Sequence, residues 1–363
     1  MTNEIMITVG TRPEIIKMAP VIRALKRYGQ SFSLVHSGQH YDYNLSKQFI
    51  KELNLPKSNY SLKLSERSPA AQTGQMMIKL EKIIKRERSK LLLIQGDTNT
   101  MLAAALTAFK QNVPVGHVEA GLRSYDQRMP EEHNRRMVDH ASAYLFAPTS
   151  RAKENLEKEN VWGKIFVTGN TAIDAVVQHL PMAREKSNVM AHIKFQKYIL
   201  ATAHRAENVD DPKVLKNFVE AFVAAPLPVV FSVHPRTEKR LRQHNLWKKL
   251  VSSKNVQLLP PLGYFDFLVL MKNCELMLTD SGGLQEEATA PPIGKLVLVL
   301  RQSTERPEAV EAGFAKIVGV EKQEISKALV RCIENPPKLR KNSPFGDGKA
   351  GEKIAKIAMG ELS

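Results

Sequence analysis

Strand-length apolar runs alternate with amphipathic stretches along most of the chain. Residues 4–9, 91–94 and 113–118 are apolar at nearly every position, and residues 31–37 form another strand-like run. Such runs predict strands buried on both faces of a parallel sheet. After the first of them, Ile15, Ile16, Ala19, Ile22 and Leu25 recur at helical spacing behind Pro13, a residue suited to the first helical turn. This helix is expected to begin near Glu14. Residues 43–53, 71–88 and 101–110 predict further helices. A helix over 131–140, a strand over 144–147, a helix from Thr149 and a strand over 165–168 complete the first half.

The pattern weakens over residues 181–195, which are expected to be a linker, and restarts with a strand at 198–201. The loop His204-Arg205-Ala206-Glu207-Asn208 and a helix over 212–224 follow, with further strands at 229–233, 256–259, 276–278 and 297–300. Residues 335–348 are rich in proline, glycine and lysine, and a last helix over 349–359 is expected to pack back on the first half. Strands alternating with helices predict a doubly wound α/β fold. With 363 residues, two domains are expected. The expected division is 1–180, 181–345 and a C-terminal helical segment over 346–363.

Composition narrows the function class. Hydrophobic content of 43% and charged content of 25% fit a soluble globular protein. No run approaches the roughly 18 apolar residues of a membrane span, and the first apolar run is too short for a secretory signal. A cytoplasmic protein is expected. Two cysteines, Cys274 and Cys332, make neither a disulfide framework nor a metal-ligand spacing. The net charge of +16 could serve nucleic acid, but 6% aromatic residues offer few stacking platforms. The densest basic run, residues 79–90, reads as a solvated helix face. An anionic small molecule is the better partner for this charge.

The candidate chemistry sits where strands end. Thr279-Asp280-Ser281-Gly282-Gly283-Leu284-Gln285-Glu286-Glu287 follows an apolar strand. Ser281 can cap a helix starting at the two glycines, whose backbone lets a phosphate approach the free N–H groups. Glu287, one turn later, could accept ribose hydroxyls, and Arg301 and Arg306 follow the next strand. In the first half, Arg12 and Lys17 flank a helix start, Asp97 and Glu119 follow strands, and Glu131 with Glu132 opens a helix. His204 follows the first strand of the second half. Each has an ordinary structural explanation when taken singly, as a helix cap, a hydrogen-bonded core residue or a surface charge. Taken together, acids in one half and a phosphate clamp in the other suit a sugar ring carrying a diphosphate, bound in the cleft expected between the halves. Neither a Walker A loop nor a Gly-x-Gly-x-x-Gly turn is present, so a nicotinamide cofactor is not indicated. His and Asp residues do not cluster as metal ligands.

The motifs Gly10-Thr11-Arg12-Pro13-Glu14-Ile15-Ile16-Lys17, Gly96-Asp97-Thr98, His117-Val118-Glu119-Ala120-Gly121-Leu122-Arg123, Pro130-Glu131-Glu132, Asn134-Arg135, Thr168-Gly169-Asn170-Thr171, His204-Arg205, Asp280 to Glu287 and Thr304-Glu305-Arg306-Pro307-Glu308 occur in this order. In this the chain resembles the non-hydrolysing UDP-N-acetylglucosamine 2-epimerases. The resemblance implies a GT-B fold, two Rossmann-like doubly wound domains facing a central cleft, with neither metal nor NAD required. It implies interconversion of UDP-N-acetylglucosamine and UDP-N-acetylmannosamine in a homodimer that supplies precursors for surface glycans. Asp97, Glu119 and Glu131 would be the acid/base set, with His204 near the sugar and diphosphate. Arg12 and Lys17 would meet the diphosphate; Ser281, Gly282 and Gly283 the phosphate; Arg306 the diphosphate; Glu287 the ribose; and Phe267 the uracil. Phe267 reads equally well as a core residue at a helix start.

The sequence departs from the family pattern in three places. Residues 288–295 are two longer than usual, Gln302-Ser303 replaces Asp-Thr, and Gln39-His40-Tyr41-Asp42 has Tyr where a regulatory segment has Arg. The alternatives are a 2-epimerase of a UDP-2,3-diacetamido-glucuronic acid, a GT-B glycosyltransferase, or a basic binding protein without turnover.

Overall fold

The computed structural model describes residues 4–38, 49–66 and 68–362. The expected helix at 43–53 and the Gln39-His40-Tyr41-Asp42 segment lie wholly or mostly outside them. Two compact units are present: Met1–Ala175 with Phe345–Ser363, and Val176–Pro344.

The first unit holds a seven-stranded sheet. In chain order its strands are β1 (Ile5–Val9), β2 (Phe32–His36), β3 (Tyr60–Ser61), β4 (Leu91–Gln95), β5 (Val115–Val118), β6 (Tyr144–Ala147) and β7 (Lys164–Val167). Their spatial order is β3-β2-β1-β4-β5-β6-β7, with every pair parallel. The second unit holds β8 (Ile199–Thr202), β9 (Val229–Ser232), β10 (Val256–Leu259), β11 (Leu276–Thr279), β12 (Val297–Val299) and β13 (Ala315–Ile317). These are ordered β10-β9-β8-β11-β12-β13, again all parallel. The fold is α/β, with two parallel sheets in a GT-B-like arrangement of elements.

The central strands are buried because helices cover both faces. Ile5, Met6, Ile7, Leu91, Leu92, Leu93 and Ile94 are fully enclosed or within 1% of it in the first unit. In the second unit, Phe222 packs between Phe218 and Phe231, with ring centroids at 6.3 and 5.2 Å. Each sheet reverses its strand order once, between β1 and β4 and between β8 and β11. The crevice beyond the carboxyl ends of the strands at such a switch point is where open α/β sheets bind ligands. Sequence alone placed the candidate residues at strand ends; the strand order selects these two ends from the rest.

The chain departs from expectation at residues 181–195. Instead of a linker, a helix runs from Thr171 to Lys186 through Pro181, and a short 3-10 turn follows at Val189–His192. Ala172, Ile173, Ala175, Val176, Leu180 and Ala183 are each at most 3% exposed, and this buried stripe outweighs the single hydrogen bond that proline removes. Two short edge strands, β3 and β13, were not anticipated; two or three residues are too few for a period to show. The first helix begins at Arg12, two residues earlier than expected, because Thr11 and Glu14 form a capping box.

The last helix, Ala350–Gly360, belongs to the first unit. Its Gly351 lies on Pro20 of the helix Arg12–Arg27: a methyl built there would come within 2.7 Å of the proline side chain and 2.8 Å of its carbonyl carbon. Backbone on one side leaves nothing that can yield. Gly351→Ala is therefore expected to destabilise the protein by about 1–3 kcal/mol through overpacking, read as a lower midpoint in urea unfolding. An unchanged midpoint would mean that the two helices separate without loss.

Candidate active site

At the first switch point, β1 ends in the Gly10-Thr11 turn and β4 in the Gly96-Asp97-Thr98 turn. Glu14 ties the two together. Its carboxyl accepts the N–H groups of Gly10 (2.5 Å) and Thr11 (2.8 Å) and the Thr98 hydroxyl (2.6 Å), and the residue is 2% exposed. Two donors that a helix start leaves over are satisfied in this way. Burial pushes the Glu14 carboxyl up to about 7, against the smaller opposing effect of its hydrogen bonds.

The expected acids fall into two neighbourhoods. Glu119 accepts from Lys17 Nζ at 2.5 Å and from Gln95 Nε2 at 3.1 Å. Its backbone is left-handed, with φ of 71°, an uncommon state for a residue with a side chain. The N–H groups of Glu119 and Ala120 share the Phe146 carbonyl at 3.1 and 3.2 Å, which holds that conformation. Asp97 accepts from Arg135 Nη2 at 2.5 Å and Nε at 3.1 Å. Arg135 also donates to Glu132, 2.9 Å away, and Glu132 accepts the N–H and hydroxyl of Ser124. Glu132 is thus the buried anchor of this loop, whereas Glu131 beside it is exposed. The Asp97 and Glu119 turns are joined through the backbone, Gly96 N–H donating to Val118 at 3.2 Å. Arg12 is exposed, with its guanidinium 5.5 Å from the centre of the Phe49 ring.

At the second switch point the organiser is Asp280. Fully buried, it accepts the N–H groups of His204 (3.0 Å) and Arg205 (2.9 Å) and the amide of Asn208 (3.1 Å). His204 Nδ1 lies 3.3 Å from the same carboxylate, and the side chain stays 38% exposed. The helix Gly282–Glu287 is only six residues long, with Ser281 at its cap position. The Ser281 side chain makes no capping hydrogen bond, contrary to expectation.

Around Gly282 stand Glu305, Arg306 and Arg205, each 3.6 to 3.9 Å from where a methyl would sit. Arg306 donates to the buried Glu286, and Arg301 to Glu305 at 2.7 Å. Burial would raise the Glu305 carboxyl, but the hydrogen bond from Arg301 and the charges of Arg301, Arg205 and Arg306 outweigh it and bring it to about 2. Glu287 and Phe267 are half-buried. His234, outside the strand-end motifs, lies 5.8 Å from His204 between ring centres. Burial first, then His204 and Arg236, hold its imidazole below the ordinary value, and Nδ1 accepts the Arg236 N–H at 3.2 Å. Its signal was a His-Pro pair ending a strand.

The arrangement offers carboxylates with fixed partners at one switch point and clustered guanidinium groups around a glycine turn at the other. The first suits proton transfer, the second a phosphate. Among the described residues, no group of three or more His, Cys, Asp or Glu could hold a metal ion. Nor is any helix among them long and apolar enough to cross a membrane.

A family profile described as UDP-N-acetylglucosamine 2-epimerase matches residues 23–359. The chain belongs to that family. It is 47% identical to the UDP-N-acetylglucosamine 2-epimerase of Methanocaldococcus jannaschii, over 98% of both chains. It is 43% identical to the protein of the same name from Methanococcus maripaludis, over 99% of both. The crystal structure of the M. jannaschii epimerase in complex with UDP-GlcNAc and UDP matches with a TM-score of 0.87, covering 98% of this chain and 99% of that one. The UDP-2,3-diacetamido-2,3-dideoxy-D-glucuronate 2-epimerase of Pseudomonas aeruginosa is 36% identical, over 97% of this chain and 98% of its own.

Glu14 generates a pH prediction. The carboxyl titrates at 4.5 without the fold and at about 7 within it. The folded state therefore holds this proton more tightly, so the contribution is complete below 4.5 and is lost as pH rises through about 7. Glu14→Gln keeps an acceptor and cannot ionise. The difference in unfolding free energy, variant minus wild type, should grow by something on the order of 3 kcal/mol between acid and mildly alkaline buffer. Parallel urea curves across that range would count against this role.

Proposed function

We propose that this chain interconverts UDP-N-acetylglucosamine and UDP-N-acetylmannosamine at carbon 2 of the sugar. The observation that carries the reading is its end-to-end similarity to the M. jannaschii enzyme of that activity. The chemistry agrees with the residues. The proton at carbon 2 has no carbonyl beside it, so simple deprotonation is prohibitively slow. Elimination avoids that barrier: a base takes the carbon-2 proton, the bond from carbon 1 to the diphosphate oxygen breaks, and 2-acetamidoglucal forms beside UDP. Re-addition of UDP at carbon 1, with a proton delivered to the other face of carbon 2, gives the epimer.

In this reading Asp97, Glu119 and Glu131 handle the protons, and His204 attends the sugar and diphosphate. Lys17 and Gln95 keep Glu119 oriented, as Arg135 does Asp97. UDP takes the glycine turn of the second unit, with Ser281, Gly282 and Gly283 at phosphate, Arg306 beside it, Glu287 at ribose and Phe267 at uracil. Arg12 is assigned to the diphosphate. Lys17 has its ion pair with Glu119, so we assign it first to that carboxylate and only then to phosphate. No metal or nicotinamide enters the scheme. We further assign the enzyme to the cytoplasm, where nucleotide sugars for surface glycans are made. A homodimer is proposed.

Incubation with UDP-GlcNAc in D2O, without added metal or NAD, and followed by proton NMR, tests the activity. UDP-ManNAc carrying deuterium at carbon 2 is expected. Free ManNAc with UDP would indicate hydrolysis. An unchanged spectrum would shift the reading to the diacetamido-uronate or to glycosyl transfer. For the nucleotide seat, Gly282→Ala has room among the protein atoms but none for a phosphate at the turn. Its unfolding midpoint should stay at the wild-type value while UDP binding by calorimetry weakens about 10-fold or more. Equal UDP affinity would remove the glycine turn from the seat.

A further inference from the structure

Behind the Asp97 and Glu119 turns lies a buried charged cluster that no step of the proposed reaction uses. His117, on β5, is 1% exposed; its Nδ1 is 2.7 Å from Asp139 Oδ1, and its Nε2 is 2.9 Å from the carbonyl oxygen of Gly96. Asp139 is fully buried, and its other oxygen accepts the Gly121 N–H at 3.2 Å and Arg123 Nη1 at 2.8 Å. Arg123 in turn grips Glu159 through two hydrogen bonds of 2.9 and 2.7 Å. Burial alone would lower the Arg123 guanidinium, but Glu159 and Asp139 more than reverse that and raise it.

Both ring nitrogens of His117 face oxygens. A carbonyl oxygen can only accept, and a carboxylate that takes two N–H groups on its other oxygen is itself an acceptor. Turning the ring over would put carbon atoms where the two nitrogens stand and leave both oxygens without a donor. So both nitrogens donate, and the imidazole carries two protons. The cluster sets His117 and Arg123 against Asp139 and Glu159, and Glu159 also meets Arg136 at 3.3 Å, so each carboxylate has a cationic partner.

The placement of the two donors matters more than the charge. Nε2 holds Gly96, whose φ is 89°, directly before Asp97. Nδ1, through Asp139, holds Gly121, whose φ is 83°, two residues after the left-handed Glu119. One rigid ring thus spans the two turns from which the acid/base side chains project. We propose that His117, acting through Asp139, is a positioning residue for the epimerisation: a doubly protonated imidazole that fixes Asp97 and Glu119 relative to each other. The assignment rests on the epimerase reading.

Proton transfer requires the two carboxylates within a few tenths of an ångström of the productive geometry, while none of the residues assigned to the nucleotide contacts His117 or Asp139. Breaking the bridge should therefore divide the kinetic constants. His117→Gln, with one donating group in place of two, and Asp139→Asn, which keeps the shape, are expected to fold. Each should lose about 100-fold in kcat, with KM and UDP affinity changed less than about threefold. A folded variant with kcat within about threefold of wild type would overturn the proposal. So would loss of fold in both variants, which would make the cluster purely structural.

The imidazole itself is read in the wild type labelled with 15N-histidine, with the folded His117→Gln protein or a fragment-labelled sample for assignment. Two nitrogens that each donate a hydrogen bond are expected; a single one overturns the proposal. This readout does not depend on turnover. An inactive wild type with a doubly protonated His117 would therefore count against the epimerase reading, whereas an active wild type with an active His117→Gln would count against the bridge.

Discussion

Parallel strands deliver their chain ends to one edge of a sheet, where each following helix start leaves backbone N–H groups without partners. In both units of this protein a buried carboxylate meets that demand at the switch point. Glu14 takes the N–H groups of Gly10 and Thr11, and Asp280 those of His204 and Arg205. Each joins two turns: Glu14, after β1, accepts the Thr98 hydroxyl from the turn after β4, and Asp280, after β11, accepts the Asn208 amide as well from the loop after β8. A carboxylate has enough lone pairs to serve several donors at once, which a serine or threonine cap does not. Two loops at each strand edge are thereby held as a unit, from which the candidate side chains project.

Those side chains are themselves restrained in pairs. Lys17 holds Glu119, Arg135 holds Asp97 and Glu132, Arg306 holds Glu286, and Arg301 holds Glu305. An acid that must exchange a proton at a fixed carbon gains from such pairing, since preorganised neighbours need not rearrange as charge moves. The left-handed backbone at Glu119 belongs to the same picture. A conformation unfavourable by about 1–3 kcal/mol persists because the Phe146 carbonyl and the Asp139 bridge hold the turn on both sides.

Much of the fold was legible from the chain. The apolar runs of β1, β4, β5, β6 and β11 announced themselves because a strand buried on both faces carries few polar positions to blur the signal. The failures have physical causes. Residues 181–195 read as a linker because proline and mixed polarity obscure the period, and only the packing of Leu180 and Ala183 shows that the helix from Thr171 runs on to Lys186. The short strands β3 and β13 exist through pairing with β2 and β12, a tertiary fact. Within the candidate site, strand-end motifs located Asp97, Glu119, His204 and Gly282, but not the anchors Glu132, Asp280, Asp139 and His234 in their roles. Adjacent identical residues were the hardest. Glu131 and Glu132, or Glu286 and Glu287, differ only in which one the helix turns inward.

By itself, then, the sequence determined the class of architecture, the family and the strand ends at which chemistry could occur. These follow from local periodicity and from motifs carried on single loops. The tertiary structure decided which charges are paired, which acids are exposed, and that a histidine in β5 reaches both Gly96 and Asp139. Those outcomes depend on residues 21 and 22 positions apart meeting in space. Distances of that kind are set by how strands order themselves in a sheet, and no window along the chain contains them.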